Sequence, residues 1–275
     1  MNLRVKIGFF MLVLLSVILP TNTLAADDPV AERKALTQSL QARAQAGEVA
    51  AMAELGLGYL FGNAAKQDPL LAQRWLNAAA AKGDPSAETA LGYMNFEGVG
   101  VAKNEDEGIR WYRKAAQRGY PSAQSQLGFI YKNSAPPKRN MKEAAKWLTE
   151  AAKQGDAHAQ ANLALMYESG EGVKRNDAEA FKWFEKASLQ HHLAAQKKLA
   201  AYYEAGRGTP RDLVKSYMWY GISGVWANQG EEVSEDDPRM KLMKSMTEAE
   251  IEEGERLAAD WWMDHFREQP ATETP

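Results

Sequence analysis

Residues 159–191 read AQANLALMYESGEGVKRNDAEAFKWFEKASLQH, and this stretch decides the fold because its landmarks recur along the chain at a step of 36 residues. Trp183 is one of five tryptophans at that step, with Trp75, Trp111, Trp147 and Trp219. Leu163 stands twenty residues before its tryptophan, and Leu55, Leu91, Leu127 and Leu199 keep the same offset. Four further matches of so rare a residue to one period would arise by chance roughly once in a million, so the chain is built from copies of one unit.

The offsets within the unit are helical. Ala87, Ala123, Ala159 and Ala195 lie four residues before a repeat leucine, and Tyr59, Tyr131, Tyr167 and Tyr203 lie four after it, with Asn95 as the exception. Such offsets share one helix face. Around each tryptophan a second set of small residues recurs, among them Ala144, Ala151 and Ala152. Small positions let helix axes approach closely, and the tryptophan column is expected to fill the groove they leave. Each unit is therefore a helical hairpin. Gly170-Glu171-Gly172-Val173 and Gly206-Arg207-Gly208-Thr209 make the turns inside it, and neither fits a phosphate-binding loop. Asp84-Pro85 supplies a helix start between units.

Outward from the repeats, Arg4 and Lys6 precede an uncharged run from Ile7 to Leu19, followed by Pro20 and the small residues Thr23, Ala25 and Ala26. This predicts a secretory signal peptide over 1–25, too short in its apolar run to span a bilayer. Its removal would leave 31 basic and 36 acidic groups, a net of -5, and the bacterial periplasm is the expected destination. Residues 26–46 are expected to form an N-terminal capping helix, 47–230 the five repeats, 231–240 an acidic linker, 241–268 a C-terminal capping helix and 269–275 a disordered tail. Thr247-Glu248-Ala249-Glu250 has capping-box spacing at the start of the last helix.

The pattern Ala-x3-Leu-Gly-x2-Tyr-x2-Gly-x-Gly-Val, then Ala-x2-Trp and Ala-Ala-x2-Gly, resembles the SEL-one-like repeat. The fourth unit carries it as Ala159, Leu163, Tyr167, Gly170, Gly172, Val173, Ala180, Trp183 and Ala187, with Ala164 and His191 in place of family glycines. The resemblance implies an all-α, right-handed α/α superhelical solenoid of five hairpins, tetratricopeptide-like, with a capping helix at each end. It also implies adaptors and regulators of membrane-linked complexes.

Composition narrows the chemistry. The 275 residues carry no cysteine, which excludes disulfides, thiolate zinc sites and cysteine nucleophiles. A net charge of -3 gives no bulk attraction to nucleic acid. The four histidines, His158, His191, His192 and His265, lack metal-ligand spacing, so no metal and no cofactor is expected. No serine-hydrolase motif is present, and Glu105 with Glu107 and Glu252 with Glu253 read as solvated helix faces. The expectation is a noncatalytic periplasmic adaptor or regulator that binds a protein or peptide, without nucleic acid and without stable membrane insertion after processing. The alternative is a periplasmic hydrolase acting on cell-wall material or an antibiotic. The resemblance implies that the first helix of each hairpin lines the concave side, where positions +2 and -1 from the repeat leucine, turned away from the leucine-tyrosine core, are expected to face the groove. These columns make Tyr93, Phe129, Gln126 and Asn162 the expected partner contacts.

Overall fold

The structure is a computed structural model that describes residues 29–63, 66–228 and 237–266. The segments expected to be a signal peptide and a terminal tail lie outside these residues, as does most of the acidic linker. The described residues form thirteen helices and no strand. The first four are α1 (Pro29–Gln45), α2 (Val49–Phe61), α3 (Pro69–Ala81) and α4 (Pro85–Glu97). Then follow α5 (Glu105–Gln117), α6 (Pro121–Asn133), α7 (Met141–Lys153), α8 (Ala157–Ser169) and α9 (Asp177–Leu189). The last are α10 (Leu193–Ala205), α11 (Leu213–Asn228), α12 (Pro238–Met243) and α13 (Glu248–Phe266). From α2 onward they pair as five consecutive hairpins, an α solenoid. Contacts divide the chain into two compact units, one ending at Ala79 and one beginning at Ala80.

In the first unit, Leu40, Ala44, Ala51 and Leu55 are buried, and Gln41 Nε2 donates to the Tyr59 hydroxyl at 2.8 Å. A Cβ built on Gly56 would lie 2.7 Å from Leu76 Cγ, which is why this helix position carries no side chain. The second unit repeats the same close approach: a Cβ on Gly92 would meet Tyr112 at 2.7 Å, and one on Gly128 would meet Leu148 at 2.4 Å. In these three hairpins the residue that fills the space beside the glycine is the one after the tryptophan.

The tryptophans themselves differ in depth: Trp219 belongs to the core, and Trp147 and Trp183 pack against it from its margin. Leu76, Leu148 and Phe184 are at most 1% exposed, whereas Trp75, Trp111, Trp147 and Trp183 are only half-buried. Their ring faces lie under Arg74, Lys114, Lys146 and Lys186 respectively, with Lys186 at 4.4 Å from the Trp183 centroid. One residue along a helix turns the side chain by about 100°, enough to exchange core for flank. Trp219 is buried because α13 covers it, with Trp261 5.8 Å away and edge-on. The five repeat leucines are all fully buried.

Each second helix begins in the same way. Asp68, Asn104, Asn140, Asn176 and Asp212 accept hydrogen bonds from backbone N–H groups of the first turn, satisfying donors that the helix leaves open. The backbone N–H of the same residues donates to the carbonyl oxygen of Tyr59, Asn95, Tyr131, Tyr167 and Tyr203, at 2.7–3.0 Å. Loop closure thus survives in the first and third hairpins, whose turns lack the paired glycines.

A buried amide ladder ties helices of the second unit together. Gln124, Gln160 and Gln196 donate from Nε2 to the carbonyls of Ala116, Ala152 and Ser188, at 3.1–3.2 Å. Gln154 and Gln190 donate in turn to the Oε1 atoms of Gln124 and Gln160, each at 2.8 Å. Glu88 occupies the corresponding place on α4, fully buried, and pairs with Lys114 at 2.9 Å and Arg118 at 3.5 Å. A carboxylate has no proton to donate, so cations replace the amide partners there.

Candidate functional site

The first helices of the second unit, α4, α6, α8 and α10, carry the expected binding columns. Tyr93 and Phe129 are exposed, at 38% and 52%. Leu165 and Ala201 continue that column but are half-buried, and Leu165 packs on the core of the fourth and fifth repeats. In the other column Ala90 is buried, Gln126 is exposed, and Asn162 is half-buried. Asn162 is already engaged: its Oδ1 accepts from Lys132 Nζ at 2.8 Å, and its Nδ2 donates to the His158 carbonyl at 2.9 Å. Burial pulls the Lys132 ammonium below the usual lysine range.

The face changes character along the chain. Toward the fourth and fifth repeats Glu168 accepts from Lys198 at 2.8 Å and from Arg207 at 3.1 Å, and Arg207 also donates to Asp177 at 2.9 Å. The hydrogen bond from Arg207 is the main reason the Asp177 carboxyl sits below its ordinary range. Charges here are spent on one another, while the second and third repeats offer aromatic rings. Sequence spacing identified the columns but not these ion pairs, which join residues about a repeat apart.

The acids singled out for chemistry do not converge. Glu105 pairs with Lys103 and Lys138, Glu107 with Arg110, and Glu253 with Arg256. No group of three or more metal-ligating side chains occurs among the described residues, and no helix among them is long and apolar enough to cross a membrane.

His191 and His192, adjacent in sequence, diverge. His191 takes the left-handed position where other repeats have glycine, φ 63°, and its ring meets Trp261 and His265 of α13 at 5.1 and 5.6 Å. His192 caps α10, its Nδ1 accepting from the Ala195 N–H at 3.2 Å, and meets His158 of α8 at 5.1 Å. All four histidines therefore stand in two ring pairs at one turn.

Burial, then the neighbouring histidine, lowers the pKa of both His191 and His192, while Asp156 pulls the other way on His192. An unfolded histidine, with pKa about 6.5, then binds protons that the folded one refuses. The stabilisation is complete above about pH 6.5 and is lost as pH falls below it. Melting temperature should accordingly drop between pH 7.5 and pH 5. His192→Asp, which copies the caps made by Asp84 and Asp156, should flatten that drop. Equal melting temperatures at both pH values in the parent protein would refute this linkage.

Five consecutive hairpins among the described residues, with a polar-aromatic face on the first helices of the second unit, define an α solenoid. The Sel1 repeat profile matches residues 49–84, 85–120, 121–156, 157–192 and 193–223 in unbroken succession. The chain belongs to the Sel1 repeat family. No curated protein matches it at a significant level. Among solved structures it is similar to a Sel1 repeat protein from Oxalobacter formigenes, at 27% identity and TM-score 0.64, covering 82% of this chain and 99% of that one. It also shares its fold with c5321, a protective antigen of uropathogenic Escherichia coli strains, at 24% identity and TM-score 0.53. That match covers 87% of this chain and spans 60% of the antigen's length.

Proposed function

We propose that this protein is a noncatalytic adaptor that binds a segment of a partner protein across the first helices of its second, third and fourth repeats. The observation that carries the reading is the exposure of Tyr93 and Phe129 at the same register of successive first helices, 36 residues apart. Large rings left in water at matched positions are the usual anchors of a protein contact. Gln126 offers its amide beside them, and Asn162 supplies a rim held in place by Lys132. The pairing of nearby acids with cations favours binding over hydrolysis. Export to the bacterial periplasm belongs to the same reading and is supported by the charged start and apolar run within residues 1–25.

The test is a photo-crosslinking residue placed at position 129 in intact cells, with position 182 on α9 as a control. Position 129 should capture a discrete partner that position 182 does not. With that partner purified, Phe129→Ala should weaken binding by about 1–2 kcal/mol while leaving the circular dichroism spectrum unchanged. A folded variant with undiminished affinity would move the interface off these helices.

A further inference from the structure

The joint between α5 and α6 borders an open cleft of about 610 Å³ that lies apart from the aromatic face. Phe129 and Tyr131 share α6 but point about 200° apart, and Tyr131 is the one that lines this cleft. Ile109, Arg110 and Arg113 come from α5, Lys138 from the following loop, and Asp106 is the one carboxylate in the lining.

The corresponding joint two repeats later is filled differently. There Phe181 stands in the register of Ile109 and packs edge-on against Tyr203, the counterpart of Tyr131, at 5.2 Å and 89°. Ile109 is aliphatic and brings no second ring to Tyr131. The charges differ as well: Glu185 and Pro210 stand where this joint has Arg113 and Lys138.

The polar groups of the cleft are unequally committed. Arg110 pairs with Glu107, and Lys138 pairs with Asp106 at 2.9 Å and with Glu105 at 3.1 Å. Among the described residues Arg113 makes no ion pair; its Nη2 donates to the Tyr131 hydroxyl oxygen at 2.8 Å. The Tyr131 hydroxyl, accepting that bond, keeps its own proton to donate. A guanidinium edge and a phenolic O–H therefore converge above an apolar floor of Ile109 and the tyrosine ring. Planar guanidinium forks match carboxylates, and the bond is strongest when both partners are charged.

We propose that this cleft binds a glutamate or aspartate carboxylate of a protein segment, with Arg113 and Tyr131 as its donors. Arg110 and Lys138 are balanced by Glu107, Asp106 and Glu105, so the complementary positive charge of the lining is the guanidinium of Arg113. The site goes beyond the aromatic face and would stand if that face bound nothing.

The experiment follows the Arg113 side-chain Nε–H and the backbone amides of 109–113 by NMR during three titrations of the whole protein. The probes are acetyl-Glu-Leu-Glu-amide, acetyl-Gln-Leu-Gln-amide and inorganic phosphate. The glutamate peptide should shift these signals saturably and the glutamine peptide should not. Arg113→Gln should weaken the glutamate peptide at least about tenfold, and Tyr131→Phe by a smaller factor, at unchanged melting temperature. Phe129→Ala should leave the titration as it was, which separates this site from the aromatic face. The proposal is overturned if the glutamate peptide leaves Arg113 unmoved, if the glutamine peptide binds equally, or if Arg113→Gln binds like the parent. Binding of phosphate without the peptide would likewise overturn it, as an anion site unrelated to protein segments.

Discussion

Phe184→Ala should lower the stability of the fold by about 3–5 kcal/mol, while Trp183→Ala, one residue earlier, should cost only about 1–2.5 kcal/mol. Phe184 is 1% exposed, and its ring stands 5.3 Å from that of Tyr202, so truncation leaves a cavity that neighbouring hairpins have no spare side chain to fill. Trp183 has one face toward the core and the other beneath Lys186, so much of what it loses is recovered by water. Urea midpoints of the two variants measured side by side decide the matter. Should Trp183→Ala prove the more damaging, the repeated tryptophans, and not the residues that follow them, carry the core.

Gly172→Ala is the second change expected to be severe, at roughly 2–4 kcal/mol. Two costs combine. The backbone sits at φ 76°, where a side chain is strained, and the added Cβ would lie 2.2 Å from the Met141 carbonyl oxygen at the start of α7. That oxygen belongs to helical backbone and has little freedom to retreat. Gly208 repeats the arrangement against Asp177, also at 2.2 Å. Gly170→Ala is the matched control: φ is 79°, but the nearest neighbour is the Arg175 Cβ at 3.2 Å, so only the backbone cost of about 1 kcal/mol applies. Equal midpoints for the two variants would show that the turn yields where the contact says it does not.

The repeat, the hairpin and the buried leucines were legible because they depend on identity at a fixed spacing, and the SEL-one-like resemblance rested on the same residues. Depth was less legible. The position after each tryptophan reads Leu76, Tyr112, Leu148, Phe184 and Tyr220, a column of size and not of identity. A search for matching letters passes over it and stops at the tryptophan. The Asp and Asn caps at 68, 104, 140, 176 and 212 were equally present in the sequence, as a polar column just before each second helix.

The binding face was visible only as two columns. Which members are exposed and which are spent on partners depends on side-chain reach, as Lys132 bonding to Asn162 illustrates. The bond from Arg113 to Tyr131 joins two helices and residues 18 apart in sequence, and no local pattern announces it. His191 and His192 part company because a left-handed residue separates the ends of two helices, which a linear reading sees only as neighbours.

The buried amides have a direction. Gln124 and Gln160 each take a hydrogen bond from the end of their own hairpin and hand one back to the hairpin before it, while Gln196 hands one back and its Oε1 receives none from the described residues. A gene segment encoding the third or fourth hairpin, duplicated in frame, would place the glutamine donor opposite a carbonyl acceptor at the new seam. A duplication that is not a whole number of hairpins would strand polar atoms in the interior there. The array is thereby lengthened or shortened in whole units of 36 residues, and Gln196 marks the seam at which the succession gives way to a different closing structure.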